Sequence, residues 1–220
     1  MAAWRNLPFD DLGPGFYQYP TGSWFVPGML DMTSVSLHQS GNSDVVNVSY
    51  DVLNNIYGAP NGFSTKLLEI YLVNPATSGG STAALPYANV GFSTPWNYAL
   101  RVSGWDTKLV NAQGTVLSRN LTVTTNSLTH TVSIQIPSSL IGSFKPGWGL
   151  YVTTLSQDGY APGEVRPISA QPGPYNFGYV KADPTGYPTN VMDVLTPSGT
   201  PQQALNYLHG PIILRAVTIP

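Results

Sequence analysis

Residues 44–53 read DVVNVSYDVL, with an apolar side chain at every second position over residues 46–52. Successive side chains of a β-strand point to opposite faces, so this alternation predicts a strand with one buried and one exposed face. Residues 129–136, THTVSIQI, repeat the pattern with apolar side chains at positions 132, 134 and 136. Two such strands need partners that cover their apolar faces, which indicates a layered sheet structure.

Similar short segments recur along the chain between turns rich in Gly, Pro and Asn. Further strands are predicted at residues 32–38, 66–73, 98–104, 108–112, 121–125, 150–156 and 212–219. This pattern predicts an all-β fold, an antiparallel β-sandwich of the jelly-roll type, formed as a single module over residues 1–220. Residues 200–208 start with an N-cap Thr and a Pro at the first helical position, which predicts one short C-terminal helix. Residues 137–142 have room for one helical turn.

The surface of this protein must carry little charge. Charged residues make up 9% of the 220 residues, and the formal net charge is −2. Soluble domains usually contain about 25% charged residues. Neutral polar side chains therefore cover the surface, which suits an extracellular protein that meets neutral polymers. The nine Lys and Arg form no basic stripe, so nucleic acid is not an expected partner.

The chain contains no Cys, which excludes disulfides, a thiol nucleophile and Cys-based metal sites. Its twenty prolines restrict the unfolded chain, and the avoidance of Cys also fits a hot habitat. No apolar run reaches the roughly 18 residues that span a bilayer. Residues 1–5, MAAWR, lack the features of a signal peptide. We therefore expect a secretion signal, or further domains of the parent protein, to lie outside this sequence.

Aromatic residues are the strongest candidates for a binding role, since the chain has five Trp and thirteen Tyr. The apolar face of a pyranose stacks on such rings, and neighbouring polar side chains bind its hydroxyl groups. Aromatics at turns are harder to bury than those within strands. The candidate carbohydrate-binding residues are Trp24, Trp96, Tyr98, Trp105, Tyr160 and Tyr175. The alternative for each of them is core packing, because β-sandwiches commonly bury Trp.

Carboxylates at turns suggest a calcium site. Asp10 and Asp11 precede the turn GPG at 13–15, and Asp31 and Asp158 are candidate additional ligands. Calcium takes six to eight oxygen ligands, many of them backbone carbonyls. The alternative is turn capping, in which an Asp before Gly or Pro binds its own backbone.

The carboxylates do not suggest catalysis. A glycosidase needs two carboxyl groups about 5–10 Å apart across a cleft. The chain has two Glu, and nothing in the spacing pairs Glu69 with Glu164 as acid and nucleophile. We expect Glu164 to form an ion pair with Arg166 or to be solvated, and we expect no enzymatic activity.

Ten strings, in order, give the chain a resemblance to a known family. They are FDDLGPGFYQYPT (9–21), WFVPGMLDMT (24–33), NGFS (61–64), EIYL (69–72), LPYANV (85–90), PWNYALRVSGW (95–105), IPSSLIG (136–142), SQDGYAPG (156–163), RPI (166–168) and VMDVL (191–195). In this order and spacing they resemble the C-terminal domain family of glucodextranase and related amylolytic enzymes. The resemblance covers about residues 8–208.

The resemblance implies a DOMON-like β-sandwich at the C-terminus of secreted glucan-degrading enzymes, many of them from hot-spring archaea. It implies a non-catalytic accessory module that binds polysaccharide, such as an α-glucan, by aromatic stacking. The alternative is a structural module that docks onto the parent catalytic domain or the cell envelope without sugar affinity. Relatives often carry an Asp soon after the EIYL strand, where this chain continues with Val73 and Asn74.

Some DOMON-like domains hold haem, which gives a third interpretation. Met29, Met32 and His38 are the candidate axial ligands, although a Met near a strand more often fills a core. His38, His130 and His209 are far apart in sequence and show no metal-ligand spacing. We therefore expect no haem.

Overall fold

Strands dominate the part of the chain that the computed structural model describes, which is residues 2–161, 163–179 and 188–220. In chain order, the elements of these residues are β1 (Ala2–Arg5), β2 (Tyr17–Gln18), β3 (Met32–Ser40), β4 (Ser43–Tyr50), β5 (Lys66–Val73), β6 (Ser81–Ala83), β7 (Gly91–Trp96), β8 (Tyr98–Val102), β9 (Thr107–Asn111), β10 (Val116–Ser118), β11 (Thr122–Asn126), β12 (Thr131–Pro137), α1 (Ser138–Ile141), β13 (Gly149–Ser156), β14 (Gly178–Tyr179), β15 (Val191–Val194), α2 (Pro201–Ala204), β16 (Ile213–Leu214) and β17 (Val217–Thr218).

Two antiparallel sheets form the body of the fold. The first has the order β1-β3-β4-β12-β11. The second has the order β10-β9-β8-β5-β13-β15, and β17 also pairs with β13. This arrangement confirms the predicted all-β sandwich. Neither helix in the described residues is long and apolar enough to cross a membrane.

An inner core fills the space between the two sheets. The alternation predicted for residues 44–53 and 129–136 is confirmed, because Val46 and Val48 of β4 lie opposite Ile134 and Val132 of β12, and all four are buried. Strand β4 ends at Tyr50. Val52, two residues further on, packs against a second core on the opposite face of the second sheet. The buried members of the inner core include Met32, Val35, Val46, Val48, Ile70, Leu100, Val132, Ile134, Trp148 and Val152.

An outer core covers the opposite face of the second sheet. Every residue of β5 and β13 is buried, so these central strands contact both cores. Leu68 and Ile70 face the inner core, whereas Leu67 and Tyr71 face the outer core. Connecting segments with little regular structure supply the other side of the outer core, whose buried members include Phe25, Met29, Phe92, Trp96, Phe177 and Tyr207.

Some predicted elements differ from the observed ones in length. The C-terminal helix begins after Thr200 as predicted, with a capping box between Thr200 and Gln203, but it ends at Ala204. Residues 137–142 contain the single turn of α1. The segment 212–219, predicted as one strand, forms the two short strands β16 and β17.

Candidate functional site

Aromatic side chains from five segments meet in a groove at one end of the sandwich. The groove encloses about 330 Å³ and lies beside the ends of β5, β8 and β13. Four of the six predicted carbohydrate-binding residues lie in it, together with two aromatic residues that were not predicted, the buried Phe25 and the exposed Tyr57. Its lining residues are Trp24, Phe25, Tyr57, Thr65, Trp105, Gln157, Gly159, Tyr160, Arg166 and Tyr175.

Trp24 and Tyr175 form one wall of this aromatic groove. Their rings are stacked, with centroids 5.4 Å apart and planes inclined by 30°. The two loops that carry them are joined by the Gly22 N–H, which donates to the Pro174 carbonyl over 3.1 Å. A Cβ atom at Gly22 would lie 2.4 Å from that carbonyl oxygen, so only Gly allows this close approach. The exposed fractions, 37% for Trp24 and 41% for Tyr175, leave both rings accessible to a ligand.

The loop after β13 adds a protruding ring and a charged donor. Tyr160 is 91% exposed, and its backbone N–H donates to Asp158 Oδ1 over 2.9 Å. The same Oδ1 lies 3.3 Å from Arg166 Nη2. The Arg166 guanidinium carbon is 5.8 Å from the ring centroid of Tyr175. Asp158 therefore positions both the turn of Tyr160 and the guanidinium group beside the aromatic wall.

Trp105 enters the groove from the tight turn between β8 and β9. Ser103 Oγ accepts hydrogen bonds from the N–H groups of Trp105 and Asp106, over 3.2 and 3.0 Å. A Cβ atom at Gly104 would lie 2.0 Å from the Phe63 carbonyl oxygen, so this turn packs tightly on the neighbouring loop. The turn places Trp105 in a half-buried position.

Tyr57 is the exposed groove aromatic that sequence reasoning missed. It is 48% exposed and lies in the connection between β4 and β5. Its N–H donates to Ser64 Oγ over 3.3 Å. Tyr57 stands in an Asn- and Gly-rich turn, so the criterion that selected the other turn aromatics would have found it.

The structure places Trp96 and Tyr98 away from the groove. Trp96 is 4% exposed, its Nε1–H donates to the Ala83 carbonyl over 2.8 Å, and its ring packs on Tyr71 in the outer core. Tyr98 is half-buried and packs against the inner core. Both residues belong to strands rather than to turns. For Trp96 the alternative role, packing in the core, is therefore the one observed.

The predicted metal ligands divide into three places. Asp10 and Asp31 lie together with Asp193, and ligand oxygens of the three carboxylates are all within 4.8 Å of one another. Asp11 faces elsewhere, accepting hydrogen bonds from the Tyr19 hydroxyl and from a backbone N–H. Asp158 lies next to the groove, between the lining residues Gln157 and Gly159. Asp193 was not predicted, although an acidic residue within the apolar run VMDVL was a visible signal.

Burial and mutual repulsion alter the acidity of this buried carboxylate cluster. Burial raises the pKa of Asp10 to about 7, and the charges of Asp31 and Asp11 add to the increase. Burial likewise raises the pKa of Asp31 to about 6. Burial, followed by the charge of Asp10, holds the pKa of Asp193 well above its usual range. Without a counter-charge, the cluster therefore resists full ionisation.

The two glutamates lie in opposite environments. Glu164 is exposed, which agrees with the expectation that it is solvated, whereas Arg166 pairs with Asp158. Glu69 is fully buried and pairs with Arg101 at 2.5 Å.

The candidate haem ligands do not face one space. Met29 lies in the outer core and Met32 lies in the inner core, so the second sheet separates them. His38 lies on β3, where its ring contacts Asn47.

Comparison with known proteins gives one family. The model of the C-terminal binding module, SLH-like, of glucodextranase matches residues 8–210. That range includes the whole aromatic groove and the buried carboxylate cluster. No curated protein shows a significant match to the chain.

Proposed function

Because the chain belongs to the family of C-terminal, SLH-like binding modules of glucodextranase, we propose that it binds polysaccharide in the aromatic groove. In this proposal it is a non-catalytic accessory module that works outside the cell and holds its parent enzyme on an α-glucan. The observation that carries the proposal is the convergence of five exposed or half-buried aromatic rings in one groove.

The chemistry of the groove suits a neutral sugar. The rings of Trp24, Tyr175, Trp105 and Tyr160 offer apolar faces on which pyranose rings can stack. Arg166, beside the ring of Tyr175, adds a charged donor at the same surface for sugar hydroxyl groups. Ligand sites of this kind combine a mostly apolar lining with a few fixed polar groups.

The same lining argues for binding without hydrolysis. Glycoside hydrolysis uses two carboxyl groups about 5–10 Å apart on either side of the scissile bond. Among the described residues that line the groove, none is Asp or Glu. Asp158 lies next to it but is engaged by Arg166.

Affinity electrophoresis tests the proposal. We expect the chain to be retarded in native gels that contain starch, pullulan or dextran. Tyr160→Ala and Trp105→Ala should remove most of this retardation, because each deletes a stacking surface. Tyr160 is 91% exposed, so its replacement should leave the fold intact.

Tyr87→Ala is the matched control, since Tyr87 is 60% exposed but does not line the groove. It should migrate like the wild-type chain in every gel. Absence of retardation of the wild-type chain in all gels would contradict the proposal. Equal retardation of the wild-type chain and the two groove variants would contradict the assignment of the site.

Attachment to the cell envelope is a second candidate function. The SLH-like description of the family favours it. Gels that contain purified cell-envelope polysaccharide distinguish the two candidates. Retardation in these gels alone would favour envelope attachment over α-glucan binding.

A further inference from the structure

Three carboxylates meet in a buried space that joins distant parts of the chain. Asp10 belongs to the N-terminal segment, Asp31 immediately precedes β3, and Asp193 lies on β15. Their exposed fractions are 2%, 0% and 0%. Charged side chains are almost never buried to this extent unless they are paired.

Hydrogen bonds satisfy only part of this cluster. Asp193 accepts from Asn6 Nδ2 and from the N–H groups of Met32 and Val194, at distances of 2.6–3.3 Å. Asp31 Oδ2 accepts from the Phe9 N–H over 2.6 Å. Within the described residues, both carboxylate oxygens of Asp10 and Oδ1 of Asp31 are buried without a hydrogen-bond partner.

A nearby Lys or Arg could balance the charge of these carboxylates. Within the described part of the chain, no Lys or Arg forms an ion pair with Asp10, Asp31 or Asp193. Like charges at this separation repel strongly in a medium of low dielectric constant. Free oxygens that converge in a buried space therefore need a bound cation or shared protons.

We propose that Asp10, Asp31 and Asp193 form a calcium site. The donor set is made of oxygen atoms only, which selects a hard cation over zinc or copper. Calcium accepts mono- or bidentate carboxylates and completes its six to eight ligands with carbonyl groups or water. Magnesium demands near-ideal octahedral geometry and gives up its water reluctantly, so a buried all-carboxylate set suits it less.

The site would join the N-terminal segment, the end of the β2–β3 loop and strand β15. The β2–β3 loop also carries Trp24, so the cation would fix one end of the loop that forms the aromatic wall. Calcium binding does not depend on the proposed sugar binding and can be tested without it.

Direct measurement of bound calcium tests the proposal on the full chain. After treatment with chelator, equilibrium dialysis against calcium chloride at pH 8 should give one calcium ion per chain. Asp10→Asn removes a ligand and a charge with little change of shape, and it should weaken calcium binding at least tenfold. Asp106→Asn is the matched control, because Asp106 is a partly exposed surface carboxylate with a long 3.9 Å ion pair.

Thermal unfolding gives a second readout. A calcium concentration of about a hundred times the Kd should raise the melting temperature of the wild-type chain by roughly 5–10 °C. The increase should vanish with excess chelator and should be absent in Asp10→Asn. If Asp10→Asn does not fold, Asp31→Asn replaces it as the test variant. The number of calcium ions bound per wild-type chain tests the site without any variant.

Three results would overturn the calcium site. They are a wild-type chain that binds no calcium, an Asp10→Asn variant that binds it as tightly as wild type, and magnesium bound in place of calcium at equal concentrations. If the wild-type chain binds no calcium and Asp10→Asn has an unchanged or higher melting temperature, protons shared between the carboxylates stabilise the cluster instead.

Discussion

Lys66 is a basic side chain in a fully buried position at the start of β5. Its ammonium group donates to the Val52 carbonyl over 3.1 Å and lies 4.5 Å from the ring centroid of Tyr50. Burial lowers the pKa of Lys66 to about 7, and the charge of Asp11 opposes this decrease only in part. The unfolded chain returns the group to its ordinary pKa of 10.5.

The depressed pKa makes the stability of the protein depend on pH. Below pH 7 both states are protonated, and the folded state bears the full penalty of burying the charge. Between pH 7 and about 10 the unfolded state binds more protons than the folded state, so the free energy of unfolding rises with pH. The largest slope from one such group is about 1.4 kcal/mol per pH unit.

Lys66→Met should remove this rise, because Met fills a similar volume without a titrating group. We expect the slope of unfolding free energy between pH 7.5 and 9 to fall by roughly 1 kcal/mol per pH unit relative to wild type. Urea unfolding at three pH values measures it. Lys145→Met, at an exposed lysine, should keep the wild-type slope. Parallel pH profiles for wild type and Lys66→Met would contradict the expectation.

Individual site residues were predictable where their local sequence fixes their exposure. Tyr160 and Tyr175 stand in Gly- and Pro-rich turns, and both are exposed in the groove. Trp96 lies next to a turn in sequence, but β7 places it against Tyr71 in the outer core. The partner of Asp10 and Asp31 could not be predicted, because Asp193 is more than 160 residues away and only the sheet order brings it near.

At the scale of elements, a buried ion pair connects neighbouring strands. Glu69 on β5 lies opposite Arg101 on β8, and the Tyr71 hydroxyl also donates to Glu69. Burial raises the pKa of Glu69, and the guanidinium of Arg101 acts against this increase. Arg101 also donates to the carbonyl groups of Pro86 and Gly163, over 2.7 and 3.4 Å. The pair therefore holds two outer loops against the second sheet.

Arg101→Met should cost about 3–5 kcal/mol of unfolding free energy, because it leaves the buried carboxylate without its partner. Adding Glu69→Met should restore part of that loss. We expect a coupling energy of about 1–3 kcal/mol between the two sites in a double-mutant cycle measured by urea unfolding. Strictly additive effects would show that the pair contributes nothing beyond its separate contacts.

The long strands were predictable because each has one clear pattern. Strands β4 and β12 alternate, and β5 and β13 are rich in apolar residues and buried along their whole length, so tertiary packing agrees with local sequence. Strands β2, β6 and β14 have two or three residues, and β2 pairs with β14, which is distant from it in sequence. Such short strands depend on contacts between distant segments. They are too short to show the alternation of apolar and polar residues from which a strand is predicted.

At the scale of the whole molecule, two cores share one sheet. Strands β5 and β13 are buried on both faces, so loss of either core exposes apolar surface of the strands that support the other. This sharing predicts that residues 1–220 unfold as one cooperative unit. The single module predicted from the sequence would behave in the same way. It also predicts that damage to the irregular outer layer destabilises the regular sandwich.

Met29 and Met32 offer a matched test of this sharing, because both are 0% exposed and they lie in the outer and the inner core, respectively. Replacement of either by Ala removes the same atoms and should cost about 2–5 kcal/mol. Differential scanning calorimetry of both variants should show one transition at a lower temperature, with equal calorimetric and van't Hoff enthalpies. If Met29→Ala instead splits the transition, and Met32→Ala shifts only the upper part, the outer layer is a separate folding unit. The chain would then consist of a sandwich and an outer layer that unfolds independently of it.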